Sequence, residues 1–91
     1  MNIVTIVGNI AGISKILKED GKKQIKLTIE LEKETYTEDG ITHNVIVPCY
    51  MEDPLDDVEI FSISTRVCIK GRYRNDNDGG LIVIVDRIVN L

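Results

Sequence analysis

From Ile25 onward apolar and polar residues take turns: Ile25, Leu27, Ile29 and Leu31 alternate with Lys26, Thr28, Glu30 and Glu32. A period of two predicts a half-buried β-strand, because successive side chains point to opposite faces. The period returns at Val45, Val47 and Cys49 against Asn44, Ile46 and Pro48, and again at Val67, Ile69, Gly71 and Tyr73 against Arg66, Cys68, Lys70, Arg72 and Arg74. Two other stretches, Asn2 to Ala11 and Leu81 to Val89, are nearly continuous apolar and β-branched runs, as expected of strands covered on both sides. Gly8 interrupts the first and predicts a bulge or tight bend. Pro48 predicts that the third strand frays or reaches a sheet edge there.

Turn signals separate these runs: Glu19-Asp20-Gly21 in a lysine-rich stretch, Glu38-Asp39-Gly40, and Asp76-Asn77-Asp78-Gly79-Gly80. Asp53-Pro54 is a helix start, with an N-cap acceptor, proline at the first position, and Asp56, Asp57 and Glu59 complementing the positive end of the macrodipole. Leu55, Val58 and Phe61 or Ser62 share a face over about two turns before Ser64-Thr65, and Phe61 is expected as the plug under the core. The result is an all-β chain of five strands with one short helix between strands 3 and 4. That order, with a glycine bend in the first strand, is the pattern of a five-stranded oligonucleotide-binding (OB-fold) barrel. With no repeat, linker or low-complexity tract, residues 1–91 read as a single OB-fold domain.

Composition narrows the class. The chain is 43% hydrophobic and 29% charged, ordinary for a soluble globular protein and too apolar for a disordered one. Its core is aliphatic: there is no tryptophan, and the aromatics are Tyr36, Tyr50, Phe61 and Tyr73, of which Tyr73 has the parity of the core residues Val67 and Ile69. No apolar run approaches the roughly 20 residues of a membrane helix, and no signal peptide opens the chain. Cys49 and Cys68 sit in strand-like segments without metal-ligand spacing, so they read as free thiols in a reducing cytoplasm. No cofactor or metal is implied. His43 is the only histidine, and no nucleophile elbow, Walker motif or dinucleotide glycine motif occurs, which argues against an enzyme. The run Asp76-Asn77-Asp78-Gly79 is close to a calcium loop, but that register would begin at Arg74 instead of an acid, so a hairpin turn accounts for it.

The net charge of −4 is unlike that of a general nucleic-acid binder, yet the charge is segregated. Residues 14–26 carry five lysines against two acids, residues 27–60 one lysine against ten acids, and residues 61–75 four bases and no acid. Charges are screened over about 8–10 Å, so local sign outweighs the total.

Specific residues also resemble the bacterial-type single-stranded DNA-binding proteins. The opening Asn2-Ile3-Val4-Thr5-Ile6-Val7-Gly8-Asn9-Ile10 is similar to their first strand, with its Gly-Asn-hydrophobic triplet. Val67-Cys68-Ile69-Lys70-Gly71-Arg72-Tyr73-Arg74 is similar to their fourth strand, and Ile84-Val85-Asp86-Arg87-Ile88-Val89-Asn90-Leu91 to their closing one. Both ends of the chain match well and the middle by pattern. The resemblance implies an OB-fold that binds single-stranded DNA, or RNA, in replication, repair or recombination, as a homodimer or homotetramer with replication proteins as further partners. This chain departs from the family in two respects. Lys33, Glu34, Thr42, His43 and Pro48 stand where the family places stacking tryptophans and phenylalanines, and the flexible acidic tail does not follow the last strand.

The candidate nucleic-acid-binding residues are the row Arg66, Lys70, Arg72 and Arg74, with Lys26, Lys33, Tyr36 and Tyr50. Two readings of the row stay open: a phosphate-tracking groove, or a solvated face paired with Asp86 or with Glu30 to Glu34. If all four met phosphate, binding would weaken with salt at a log–log slope near about −3. Lys15, Lys18, Lys22 and Lys23 extend the path or solubilise a loop. Tyr36 has the parity of Glu30, Glu32 and Glu34 and is expected on the polar face; Tyr50 shares parity with Asn44 and Ile46. With so few rings, affinity per protomer is expected on the order of micromolar, so useful binding needs several protomers on one strand. The alternative function is an OB-fold protein-interaction or replication-assembly module with weak or no DNA binding.

Overall fold

The computed structural model describes residues 2–52 and 61–91, in which the chain forms five strands: β1 (Val4–Leu17), β2 (Lys23–Glu38), β3 (Ile41–Glu52), β4 (Arg66–Asn75) and β5 (Leu81–Asn90). They close in the order β1-β2-β3-β5-β4, and β4 returns to β1 through Val4↔Gly71 to Asn9↔Arg66. Every pairing is antiparallel except β3 with β5, a parallel contact of two residue pairs, Cys49↔Val83 and Tyr50↔Ile84. Among the described residues there is no helix, and hence none long and apolar enough to cross a membrane. The helix expected after Asp53-Pro54 falls at 53–60, outside the described residues.

The period-two residues fill the interior. Ile25, Leu27 and Ile29 of β2, Cys49 of β3, Val67 and Ile69 of β4 and Val83 of β5 are buried, and Phe61 packs into the same cluster as expected. Both cysteines are free, and burial pushes the Cys49 thiol up to about 12. Tyr73 departs from expectation: it is 41% exposed. Its parity is that of the core and it lies opposite the buried Val83, but the β1–β4 ladder ends at Val4↔Gly71, so at Tyr73 the first strand no longer covers β4. Asn2 instead brackets its backbone, accepting from the Tyr73 N–H at 3.1 Å and donating to its carbonyl at 2.7 Å.

The strands outrun the apolar pattern because hairpin pairing continues beyond the core. The β1–β2 ladder continues from Ser14↔Lys26 through Leu17↔Lys23, so much of the lysine-rich stretch is strand and the turn itself is short. The second hairpin closes through Asp39 (φ 52°) and Gly40 (φ 77°), two positive-φ residues between Glu38 and Ile41, which is type I′ chemistry. At the third, Asp76 Oδ1 accepts from the N–H groups of Asp78 (2.7 Å) and Gly80 (3.2 Å), a hairpin turn as anticipated. Before Cys49, β3 pairs only with β2, so Pro48 does lie on a sheet edge.

The bulge in β1 is displaced from Gly8 to the step between Ile10 and Gly12. Gly8 serves close approach instead: a Cβ there would sit 2.3 Å from the Glu30 carbonyl oxygen, and one at Gly71 2.2 Å from that of Ile84. Backbone atoms cannot yield as a side chain does. Gly8→Ala and Gly71→Ala are therefore expected to lose about 1–3 kcal/mol each in urea unfolding. Gly12→Ala, whose Cβ would meet Thr28 at an ordinary 3.5 Å, is expected to stay within about 0.5 kcal/mol of wild type.

Candidate nucleic-acid interface

Residues directly opposite across paired strands share a face, so register decides which side chains meet. Lys26 of β2 lies opposite Tyr50 of β3, Tyr50 opposite Ile84 of β5, and Ile84 opposite Arg72 of β4. This is one transverse row over four strands. It faces outward, since the alternating neighbours Leu27, Cys49, Val83 and Gly71 are buried. Tyr50 and Ile84 are half-buried and form an apolar floor, with the Lys26 ammonium 6.0 Å from the centre of the tyrosine ring.

A hollow of about 400 Å³ opens over this floor, lined by Tyr50 and Ile84 with Lys18, Arg72, Arg74 and Arg87 around it. A second hollow shares Gln24, Tyr50 and Arg74 with it and continues to Asn75, Asp76 and Asn77 at the β4–β5 turn. Together they make a groove from the β1–β2 hairpin to the β4–β5 hairpin, over β3, β5 and β4.

Of the sequence-predicted residues, Lys26, Tyr50, Arg72 and Arg74 come together here. The others do not. Arg66 and Lys33 line a separate hollow with Ile6, Val7 and Leu31, and Lys70 lies opposite Arg87 and Thr5 on the outer face of β1, β4 and β5. The row divides because it runs the length of β4, from Arg66 opposite Asn9 to Arg74 opposite Ile82. Opposite its middle β5 bulges: Lys70 pairs with Arg87 but Gly71 with Val85, which leaves Asp86 unpaired in the ladder. Tyr36 is also displaced from the polar face. The β2–β3 register shifts between Glu30 and Thr35, so Tyr36 pairs with His43, whose parity on β3 is that of Val45 and Val47 and opposite to that of Tyr50. The two rings stack at 5.2 Å.

Two of the four cations in the β4 row are engaged by carboxylates. Arg66 grips Glu32 with both prongs, through Nε and through Nη2 at 3.2 Å. Arg72 grips Asp86 in the same way, Nε to Oδ2 and Nη2 to Oδ1 at 3.2 Å each. Lys18 donates to Glu52 at 2.8 Å. Lys26, Lys70, Arg74 and Arg87 have no ion pair among the described residues. Ile84, Gln24 and Arg87 belong to the groove and were not singled out by the sequence. Their only signal is the β3–β5 contact, which no period reveals.

No family model matches the chain, and no curated protein matches it in sequence. Solved structures do. The N-terminal domain of PriB from Thermoanaerobacter tencongensis, described as dimeric, superposes with a TM-score of 0.73 at 22% identity, covering 99% of this chain and 96% of that one. A small single-stranded DNA-binding protein from Streptomyces coelicolor gives 0.74 at 14% identity, over 100% and 95%. The mitochondrial single-stranded DNA-binding protein Rim1 of S. cerevisiae gives 0.74 at 14%, over 98% and 92%. The chain shares the fold of these proteins. The five strands expected from the sequence are present and close into an OB-like ring.

The Arg66–Glu32 pair has a measurable signature outside the groove. Its hydrogen bonds, and then its charge, hold the Glu32 carboxyl below the usual glutamate range. Because the folded value is the depressed one, whatever the pair contributes is complete above the ordinary glutamate pKa and is lost as pH falls through the depressed value. Arg66→Gln is expected to return the Glu32 titration, followed by carboxyl carbon NMR, to a higher midpoint.

Proposed function

We propose that this chain is a non-catalytic, cytoplasmic protein that binds single-stranded DNA in a sequence-tolerant way through the groove over Tyr50 and Ile84, in replication, repair or recombination. The observation that carries this reading is the Lys26–Tyr50–Ile84–Arg72 row, which sets a ring and an aliphatic floor between two cations on one outward face of the barrel. A base stacks on Tyr50 while its neighbouring phosphates meet Lys26, Arg74 and Arg87. Every base has a π-face and every nucleotide a phosphate, so such contacts do not select sequence. Two of the proteins that share the fold bind single-stranded DNA by name.

The site is poorer than the sequence promised. Arg66, Lys33 and Tyr36 lie elsewhere, and Arg72 is already paired. With Lys26, Arg74 and Arg87 as the phosphate contacts, the salt slope should be near about −2 for a single protomer, taking about −0.7 per contact. Fluorescence anisotropy with labelled oligo-dT and oligo-U reads this directly. Tyr50→Ala is expected to weaken binding by about 1–3 kcal/mol, and Tyr50→Phe to retain it. Absence of binding at low salt, with protein on the order of tens of micromolar, would defeat the proposal. The engagement of Arg66 and Arg72 by carboxylates favours the second reading, a protein-interaction or replication-assembly module. Arg72→Glu with Arg74→Glu abolishes DNA binding under the first reading and spares partner capture by the acidic β2–β3 hairpin under the second.

Self-association belongs to the same proposal. From Val4 to Val7, β1 pairs with β4 but not with β2, which joins it only at Gly8↔Leu31. That leaves an open, apolar strand edge that a second copy can pair with. A dimer or tetramer is expected by light scattering, and a strict monomer at high concentration would exclude it.

A further inference from the structure

Glu52 and Asp86 each lie two residues beyond the paired floor residues Tyr50 and Ile84 on the parallel strands β3 and β5. Both carboxylates therefore stand along the same edge of the groove floor, and both line the hollow above it. Each holds a cation of that same hollow. Glu52 accepts from Lys18 at 2.8 Å, and Asp86 accepts from both prongs of Arg72 at 3.2 Å.

We propose that Asp86, and Glu52 beside it, are built-in competitors for nucleic-acid phosphate, so that the groove releases Arg72 and Lys18 only to a polyanion that displaces the carboxylates. The inference rests on the single-stranded nucleic-acid reading of this groove. The two-pronged hold of Arg72 on Asp86 uses the donors by which a guanidinium grips a phosphate, so carboxylate and phosphate cannot both occupy them. The side chains of Arg72 and Asp86 are 59% and 49% exposed, and exposed ion pairs are weak enough to exchange.

A lone phosphate gains little from the exchange. It replaces one anion on Arg72 by another, and the displaced carboxylate remains nearby and repels it. A strand whose other phosphates already rest on Lys26, Arg74 and Arg87 is held in place while the exchange occurs. Asp86 thus selects for length, keeps mononucleotides out and holds affinity down.

The test is anisotropy with short and long oligo-dT at several salt concentrations, using the full chain. Asp86→Asn is expected to tighten binding about three- to fivefold, the size an exposed pair allows, and to steepen the salt slope by about 0.7 as Arg72 gains a phosphate. The gain should be greater for the short oligonucleotide and should vanish in an Arg72→Ala background. Glu52→Gln is expected to act likewise through Lys18. Unchanged affinity and slope in Asp86→Asn, with wild type binding, would overturn this inference and leave the groove reading standing. An equal gain without Arg72 would also overturn it, by showing a general charge effect. If neither wild type nor any variant binds, the inference falls together with the reading beneath it.

Discussion

The ring of strands closes over a parallel contact only two residue pairs long, Cys49↔Val83 and Tyr50↔Ile84, and the core and the groove both depend on it. Because side chains alternate, this contact does two things at once. Its inward pair, Cys49 and Val83, is fully buried. Its outward pair, Tyr50 and Ile84, becomes the groove floor. Without the β3–β5 contact, Tyr50 would be an isolated ring on a two-stranded edge, and Arg72 and Arg74 would have no partner surface on β3. Gly71 belongs to the same closure, since any side chain there would collide with the Ile84 backbone and hold β4 away from β5.

The sequence exposes whatever a single strand determines by itself. Inward and outward faces of β2 and β4 follow from a period of two, and Asp39-Gly40 announces its turn through backbone chemistry. Properties that belong to two strands together are hidden. Tyr36 changed faces because β2 has three more residues than β3 between the pairs Glu30↔Ile46 and Thr35↔Asn44, an odd number that reverses parity beyond the shift. The β4 cations stay on one face, but the strand spreads them from one end of the barrel to the other, and which of them meet a hollow depends on strands beyond β4. Tyr73 has the right parity for the core but lies beyond the last β1–β4 pair, Val4↔Gly71.

A chain of net charge −4 with a basic strand poses a further question, namely where its cations are spent. Much of the β4 row is satisfied within the protein. Arg66 is held by Glu32 at one end of the barrel, and Arg72 by Asp86 over the groove. The groove is thus mildly, not strongly, basic, with its uncommitted cations set around one ring. That differs from a surface whose affinity comes from charge alone, where every added cation counts equally and salt removes nearly all binding.

The same distribution separates two surfaces of the barrel. The β2–β3 hairpin carries Glu34, Glu38 and Asp39 past the end of the core, and the Tyr36–His43 stack stiffens it between them. The hollow over Tyr50 and Ile84 is instead lined by Lys18, Arg72, Arg74 and Arg87. Lys70 and Arg87 lie directly opposite each other on β4 and β5, and two like charges so placed destabilise the pairing. Arg87 lines the groove and Lys70 does not, so this pair sits where the groove passes onto the outer face of the barrel.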